Sequence, residues 1–394
     1  MKRTSLSTLF VILVHACSVQ NDHNSYEEQL ASLRGQYKQF HTHAPRFFLF
    51  GMGNRDKYIY KDFSLTNIEN DSVVYRVPNA ISDSIIPWDY CVQIRSKNGM
   101  IIIKEDEDGI WIHKGNHKDS LSLKKGKISL PSFDQFKYGK VLRVLHPKLL
   151  FNIRNYKIYP NILVYKEPFY RDAFMASLCL EKTGNTHLLY PWITKITNIY
   201  DMQNKEKEPD NLGELLYMLS FLPSDSAQDL KNQLLHEIEK QTIPKDGYVI
   251  IKGHTDGANN ADYQTQILKF ALQKNSLPDN FTDTPTDECG DYYDLCWFTR
   301  GNKHKRNIIL CYKDFKFNYK DSPFPYLQWA RSHYYNNHNA AFNWQNYPLS
   351  WEKRGGSAHF EGMSIISENA VEERICYPHL WTAAEMFLKL YEEK

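Results

Sequence analysis

Charge of one sign is scarce in this chain: 48 Lys and Arg residues face 46 Asp and Glu residues, so the formal net charge is only +2. A protein that binds nucleic acid through phosphate contacts usually carries a basic surface. The balance of charges therefore excludes nucleic acid as an expected partner. Long apolar runs are also lacking, because beyond residue 16 no stretch reaches the roughly 18 uninterrupted apolar residues of a membrane-spanning helix.

Paired cysteines and familiar cofactor motifs are missing as well. None of the seven cysteines forms a Cys-x-x-Cys pair, and His304, His333, His338 and His359 do not have the spacing of metal ligands on a helix. There is no Gly-x-Ser-x-Gly elbow, P-loop or dinucleotide fingerprint, which argues against an esterase, a kinase or a dehydrogenase. We therefore expect neither a metal nor a cofactor.

The first residues have the order of a secretory signal. Lys2 and Arg3 precede an apolar run that ends at Val14, and Ala16 and Cys17 follow that run. The apolar run is too short to span a bilayer. The segment from Val14 to Cys17 resembles a bacterial lipobox, after which a peptidase cuts before the cysteine.

This resemblance implies a lipoprotein. We expect residues 1–16 to be a signal peptide that is removed, Cys17 to carry lipid, and residues 17–44 to form a tether and an N-terminal helix. The protein would then be anchored to a membrane in the bacterial periplasm or at the cell surface, through the lipid only. The alternative is an ordinary signal peptide, with Cys17 as an incidental thiol.

Residues 45–165 contain short runs of β-branched and aromatic residues bounded by turn residues, a pattern typical of strands. The segments Asp89–Arg95 and Met100–Lys104 flank Asn98-Gly99, a pair that accepts the positive φ angles of a type I′ turn. The pair Asp108-Gly109 repeats this device. We therefore predict a mostly antiparallel β domain. Further short strands are predicted at Val141–Leu145 and Ile162–Tyr165.

From residue 166 onward the apolar residues recur at helical spacing. Helices are predicted at 169–182, 187–200, from Asn211 to about 222, and at 227–241, 262–274, 291–298, 326–335 and 380–391. Asn211 is expected to cap its helix together with Glu214, and Cys179 is expected in the core. Because short loops join the first of these helices as αα-hairpins, we predict an all-α domain over 166–394 and the fold class α+β.

Two motifs of this helical region resemble those of a known superfamily. The segment FYRDAFM at 169–175 resembles the aromatic-x-Arg-Asp signature that opens an early helix in six-hairpin, (α/α)-toroid glycosidases of the glucoamylase type. The segment YPHLWTAAE at 377–385 resembles the Pro-x-x-Trp-x-x-Ala helix that closes the toroid. The resemblance covers residues 167–392, which is too short for a full ring of twelve helices. It implies a partial or reduced toroid.

The resemblance also implies an oligosaccharide or polysaccharide as the ligand. In that family the Arg-Asp pair grips the nonreducing sugar, so Arg171 and Asp172 are expected to bind substrate, with Tyr170 beside them. An Asp carboxylate accepts hydrogen bonds from sugar hydroxyls, while the guanidinium donates to others and keeps the carboxyl ionised. The alternative for this pair is a salt-bridged helix start, with the Asp in the first turn.

Glycoside hydrolysis needs two carboxyl groups, one to protonate the leaving oxygen and one to activate water or attack. Glu352 and Glu361 are the candidates for the base, because they lie where the family places it. Asp256 and Glu288 are candidates for the acid, although neither matches the family's acid motif. Ordinary turn chemistry is the alternative for Asp256, which precedes a glycine. Candidates for further substrate contacts are Trp351, which could stack on a sugar, and His359.

Three functions follow from these motifs. The first is an exported glycoside hydrolase. The second is a noncatalytic glycan-binding lipoprotein, which the missing acid motif favours. The third is a polysaccharide lyase, in which His254, Asn259, Asn260 and Tyr263 would supply the base and neutralise the substrate carboxylate.

Overall fold

The structure is a computed structural model that describes residues 47–123, 127–163, 165–223, 225–245, 248–255, 261–281 and 379–392. The predicted signal peptide, the lipid acceptor Cys17 and the N-terminal helix lie outside these residues. So do the helices predicted at 291–298 and 326–335.

Nine short strands form two antiparallel sheets in the N-terminal region. The first sheet contains β1 (Phe48–Phe50), β2 (Tyr58–Lys61), β3 (Ser64–Asn67) and β4 (Val73–Arg76) in sequential order. The second contains β5 (Ala80–Ile86), β6 (Cys91–Ser96), β7 (Gly99–Glu105), β8 (Gly109–Lys114) and β9 (His117–Leu123), again in sequential order. The predicted antiparallel β region is therefore confirmed.

The hairpin predicted around Asn98 is formed by β6 and β7. Ser96 pairs with Gly99 and Ile94 with Ile101, so the turn consists of the two residues between Ser96 and Gly99. The positive φ angle falls on Gly99, at 118°, and not on Asn98. Buried side chains that alternate along β6, β7 and β8, including Ile94 and Ile103, share one core with residues of the first sheet. The two sheets thus pack against each other.

A helix replaces one of the predicted strands. Residues Gly139–Phe151 form helix α1, whereas a strand was predicted at Val141–Leu145. Leu142, Leu145 and Leu149 recur at spacings of three and four and are buried in the core of the helical region. The predicted strand at Ile162–Tyr165 is also absent, because Ile162 and Leu163 lie in a turn.

Six further helices follow α1 among the described residues. They are α2 (Tyr170–Thr183), α3 (Tyr190–Ile193), α4 (Asp210–Leu219), α5 (Gln228–Gln241), α6 (Ala261–Lys274) and α7 (Leu380–Glu392). The helices predicted at 169–182, 227–241, 262–274 and 380–391 are confirmed within a few residues. The predicted helix at 187–200 is wrong, because the chain there forms a 3-10 turn, Thr186–Leu188, and the single turn α3.

The predicted all-α toroid is not what the structure shows. The described residues contain seven helices, two of the predicted helices lie outside them, and an antiparallel hairpin interrupts the helical region. This hairpin consists of β12 (Thr242–Lys245) and β13 (Tyr248–Ile251). A shorter antiparallel pair, β10 (Ile153–Arg154) and β11 (Lys157–Ile158), lies between α1 and α2. The physical basis of the β12–β13 hairpin is the β-branched and aromatic content of the segment, which favours strands although none was predicted there. The fold is therefore two β-sheets followed by a mixed region in which helices dominate.

Buried charges join the β region to α1. The carboxylate of Glu105, at the end of β7, accepts hydrogen bonds from the backbone of Gly51 (2.8 Å) and Met52 (2.7 Å) and from Arg55 (2.9 Å). The backbone N–H of Gly53 donates to Leu150 in α1 at 2.9 Å. This loop therefore fixes the position of α1 relative to the sheets.

Candidate functional site

Four helices, α2, α4, α6 and α7, begin at the same end of the helical region. Contacts at this end join Arg171 to Asp210, His379 to Asp172, and the ring of Tyr263 to that of Trp381. Because the first turns of four helices meet here, their partial positive charges also meet here. This end is therefore an electrostatically favourable place for carboxylates.

The opposite ends of these helices also lie together, which shows that the helices run parallel. The hydroxyl of Tyr217 in α4 donates to Glu181 near the end of α2 at 2.6 Å, and Lys274 at the end of α6 pairs with the same carboxylate. Near the end of α7, the hydroxyl of Tyr391 lies 3.5 Å from the carbonyl oxygen of Lys182.

Arg171 lies at the centre of the shared N-terminal end and is held by two carboxylates. Its Nε donates to Asp210 at 2.8 Å, and its Nη2 donates to Glu208 at 3.0 Å. The side chain of Arg171 is 10% exposed, and those of Glu208 and Asp210 are 2% and 0% exposed. Since this guanidinium is engaged by the protein's own carboxylates, its role is to hold the site together.

Asp201 lies beside this pair and connects the start of α2 to α4. Its carboxylate accepts hydrogen bonds from the backbone of Tyr170 (2.7 Å) and Gln203 (3.0 Å). Its own backbone N–H donates to the side chain of Asn211 at 3.0 Å. Burial raises the pKa of Asp201, and the nearby carboxylate of Asp210 raises it further.

Glu214, like Asp210, is a fully buried carboxyl group of this end. Burial raises its pKa well above the usual value, and the neighbouring Asp210 carboxylate raises it further, with a smaller opposing effect from Arg171. Glu214 Oε1 and Asp210 Oδ1 have no hydrogen-bond donor in the part of the chain that the structure describes. A proton on Glu214 would satisfy both oxygens, in keeping with the raised pKa of this carboxyl group.

Five carboxyl groups thus lie at this end of the helices, four of them close enough to Arg171 to interact with it, and we call this set the acidic cluster: Asp172, Asp201, Glu208, Asp210 and Glu214. With Glu214 neutral, the remaining four carboxylates exceed the charge of one guanidinium. The N-termini of the adjacent helices, equivalent to about half a positive charge each, offset part of the difference.

Asp172 is the member of the acidic cluster that contacts a partly exposed residue, although its own side chain is only 7% exposed. Its Oδ1 lies 3.3 Å from Nδ1 of His379, whose side chain is 29% exposed. Nε2 of the same imidazole lies 3.4 Å from the hydroxyl of Tyr165, and the two rings meet edge to face at 5.7 Å. We call this carboxylate–imidazole–phenol series the surface triad. The carboxylate favours the tautomer with the proton on Nδ1, which leaves Nε2 facing the phenol.

The structure separates the predicted substrate-binding residues into two groups. Asp172 belongs to the surface triad, whereas the side chains of Arg171 and Tyr170 bond to other groups of the protein. The Tyr170 hydroxyl donates to the carbonyl oxygen of Asn198 at 2.8 Å, and burial raises the pKa of Tyr170 above its usual value. The remaining candidates, Asp256, Glu288, Trp351, Glu352, His359 and Glu361, lie outside the described residues.

Two of the residues that we had proposed for lyase chemistry are described by the structure, and they differ in exposure. His254 is exposed at the end of the β13 segment, whereas Tyr263 is 2% exposed inside the core, with its ring toward Trp381. Asn259 and Asn260 lie outside the described residues.

Sequence reasoning missed most partners of Arg171 and Asp172. His379 lies inside the motif that resembles the closing helix, directly before the first residue of α7. Its position at the start of a helix was the one feature of the sequence that could have indicated a role. Glu208 and Asp210 form a Glu-Pro-Asp segment before α4, where acidic residues suit a helix N-terminus. Tyr165 gave no signal, because only the fold brings it to His379.

Comparisons with protein-family models, with curated proteins and with solved structures found no match to this chain.

Proposed function

We propose that this protein binds a carbohydrate chain at the surface triad and hydrolyses a glycosidic bond there. The observation that carries the proposal is the placement of Asp172: a carboxyl that belongs to the acidic cluster and lies 3.3 Å from the partly exposed imidazole of His379. A fixed carboxylate accepts hydrogen bonds from sugar hydroxyls, and such charge-assisted bonds are strong.

The acidic cluster supports this role because it keeps Asp172 in one position. Arg171, the neighbour of Asp172 in the first turn of α2, is held through Nε and Nη2 by two different carboxylates. The start of α2 is therefore attached to the start of α4 at two points, and His379 attaches it to the start of α7. Because Asp172 is already held in this way, its side chain loses little conformational entropy when a ligand binds to it.

Bond cleavage requires two carboxyl groups that flank the scissile bond: one protonates the glycosidic oxygen, and the other activates water, or attacks, at the anomeric carbon from the opposite face of the sugar ring. We assign the base to Glu352 or Glu361 and the acid to Glu288 or Asp256, and we assign sugar contacts to Trp351 and His359. These assignments rest on the family resemblance. Asp172 binds hydroxyl groups in this scheme, and His379 is a positioning residue that acts through Asp172.

The test uses the full chain and a panel of oligosaccharides. Asp172→Asn should weaken binding of the responsive oligosaccharide roughly 10- to 100-fold, because a hydrogen bond to a charged group contributes about 1.5–3 kcal/mol. His379→Gln should weaken binding less and alter its pH dependence, because it removes the orienting imidazole. Isothermal titration calorimetry gives the affinities, and reducing-end analysis gives the hydrolysis rate.

Asp229→Asn is the matched control, because Asp229 is exposed in the first turn of α5. It should bind and hydrolyse as the wild type does. If Asp172→Asn binds and hydrolyses every responsive oligosaccharide at the wild-type level, the proposed site is wrong. Binding without any hydrolysis over long incubation would support the glycan-binding alternative instead.

One observation favours a second candidate, a polysaccharide lyase. The phenol of Tyr165 lies 3.4 Å from the imidazole of His379, and a tyrosine paired with a histidine can remove a proton next to a uronate carboxyl group. This chemistry uses Tyr165 in place of the tyrosine that we first proposed. A lyase would release an unsaturated product that absorbs in the ultraviolet, and Tyr165→Phe would abolish its formation.

We propose that the protein acts outside the cytoplasm as a lipoprotein anchored through Cys17. Among the described residues no helix is long and apolar enough to cross a membrane. When the full chain is expressed in a bacterium, it should incorporate labelled palmitate and sediment with membranes, whereas Cys17→Ser should do neither, because acyl chains supply the attachment. Equal labelling of the variant, or an unlabelled wild type, would contradict this proposal.

A further inference from the structure

A cavity of about 450 Å³ lies apart from the acidic cluster, between the second sheet and α1. One wall is the 3-10 turn Pro87–Asp89, and the other is the segment that leads into α1. The lining residues are Trp88, Asp89, Ser132, Phe133, Asp134, Phe136, Lys137, Tyr138, Gly139 and Arg143. The volume lies within the range of small-ligand sites, roughly 300–1,000 Å³.

The lining combines aromatic rings with hydrogen-bonding groups of both kinds. Trp88 is half-buried at the wall of the cavity, where an indole can stack on a ligand. Asp89 and Asp134 are exposed acceptors, and Lys137 and Arg143 are donors. Two carboxylates and two cations balance, so the lining suits an uncharged ligand with many hydroxyl groups rather than an anion.

Both walls contain an aromatic residue in the left-handed backbone conformation. Tyr90 follows the 3-10 turn with φ 56°, and Phe133 lies at the start of the other wall with φ 58°. This conformation is costly for a bulky residue and persists only where the surroundings enforce it. The conformation of Phe133 is held by edge-to-face contacts of its ring with the rings of Phe136 and Phe387, whose centres lie 6.0 Å and 5.7 Å away. The shape of the cavity is therefore set by the fold rather than by a loose loop.

The same wall contains polar groups that the described residues leave unsatisfied. Arg143 Nε and the Tyr90 hydroxyl are buried and have no hydrogen-bond partner within the described ranges. The guanidinium of Arg143 lies 5.1 Å from the centre of the Tyr90 ring, and its contact with Asp89 is long, at 3.8 Å. Arg143 therefore retains the capacity to donate to the oxygens of a ligand.

We propose that this cavity is a second binding site, which takes a pyranose ring of an uncharged oligosaccharide, with Trp88 stacked on the ring and Asp89 and Arg143 bonded to hydroxyls. The choice of a carbohydrate rests in part on the proposed function, because a protein that cleaves a chain gains from holding the same chain at a second point. The site itself rests on the cavity and is separate from the surface triad.

The experiment measures binding stoichiometry by isothermal titration calorimetry. The probes are uncharged hexasaccharides of glucose, mannose and N-acetylglucosamine, with a hexamer of galacturonic acid as the charged comparison. The wild type should bind one of the uncharged probes at two sites. Trp88→Ala should weaken one site by at least about 30-fold, the size expected for a tryptophan anchor, and Trp88→Phe should retain most of that affinity.

Trp111→Phe is the matched control, because Trp111 lies on β8, away from the cavity, where Lys118 covers its ring. It should leave both sites unchanged. If Trp88→Ala binds as the wild type does, or if only the galacturonate hexamer depends on Trp88, the second site is wrong, whereas Asp172→Asn separately reports on the surface triad. Loss of one site in Trp88→Ala with no effect of Asp172→Asn would sustain the second site and overturn the proposed one.

Discussion

Replacing Arg171 with methionine is expected to lower the free energy of unfolding by about 3–5 kcal/mol at pH 8, the cost of leaving the partners of a buried ion pair uncompensated. Arg171 bonds both Glu208 and Asp210, and the side chain of each of these carboxylates is at most 2% exposed. Methionine retains most of the apolar volume of arginine but none of its donors. The loss therefore reports the charge and not the packing.

The loss should be smaller at pH 5 than at pH 8. Without Arg171, the two carboxylates can avoid the penalty by binding protons, which is easier at low pH. Urea unfolding followed by circular dichroism at both pH values gives the free energies. Arg76→Met, at an exposed position of β4, is the control and should change stability by no more than about 0.5 kcal/mol. A loss below about 1 kcal/mol at pH 8 would show that Arg171 does not hold the acidic cluster.

Glu214→Gln is expected to make the protein more stable at pH 8 and to leave its stability nearly unchanged at pH 5. The pKa of Glu214 is raised well above its usual value by burial and by Asp210, so the folded protein keeps a proton that the unfolded chain loses above about pH 4.5. Glutamine has the same shape and is always neutral. Its amide can donate to Asp210 while its carbonyl oxygen accepts the hydrogen bond that Asn211 now donates at 3.1 Å.

The sign of the pH dependence follows from proton binding. Between about pH 4.5 and the raised pKa, the folded state binds one more proton than the unfolded state, so stability falls as pH rises, by at most about 1.4 kcal/mol per pH unit. The variant lacks this loss and should therefore gain stability relative to the wild type as the pH rises from 5 to 8. Other shifted groups, such as Asp201 and Lys57, are present in both proteins and cancel in the comparison.

The matched control for this effect is Glu239→Gln, at an exposed position of α5. Its stability difference from the wild type should not change with pH. The same urea measurements at pH 5, 6, 7 and 8 serve for both variants. If Glu214→Gln is destabilised at pH 8, Glu214 is ionised in the folded protein, and our account of the acidic cluster is wrong.

Local patterns predicted the parts of the fold that are determined locally. The Asn98-Gly99 signal located the β6–β7 hairpin, and helical spacing located α2, α6 and α7 within a few residues. Cys179 was predicted to lie in the core and is fully buried. These elements were predictable because their residues meet neighbours that are close in sequence.

The errors arose where one pattern fits two structures. The run from Val141 to Leu145 is short and contains β-branched valines, as a strand can, yet its leucines also fit the apolar face of helix α1, and packing against the other helices decides between the two. No strand was predicted at the β12–β13 hairpin, whose first strand contains a proline and a lysine.

The candidate site was only half visible in the sequence for a similar reason. Arg171 and Asp172 form a contiguous motif, but their partners Asp210 and His379 are 39 and 207 residues away, respectively. No local spacing indicates such pairs. Glu214 was expected to cap a helix jointly with Asn211, whereas α4 begins at Asp210 and Glu214 is buried within it.

The central claim is that a carbohydrate binds at the surface triad, and a crystal structure of the full chain with a bound oligosaccharide tests it most directly. The Glu352→Gln, Glu361→Gln variant, soaked with the responsive hexasaccharide, would keep the ligand intact. We predict a sugar hydroxyl within hydrogen-bond distance of an Asp172 carboxylate oxygen. The contact between Nδ1 of His379 and the Asp172 carboxylate should be retained. Sugar density found only away from Asp172, at a saturating concentration of ligand, would contradict the claim.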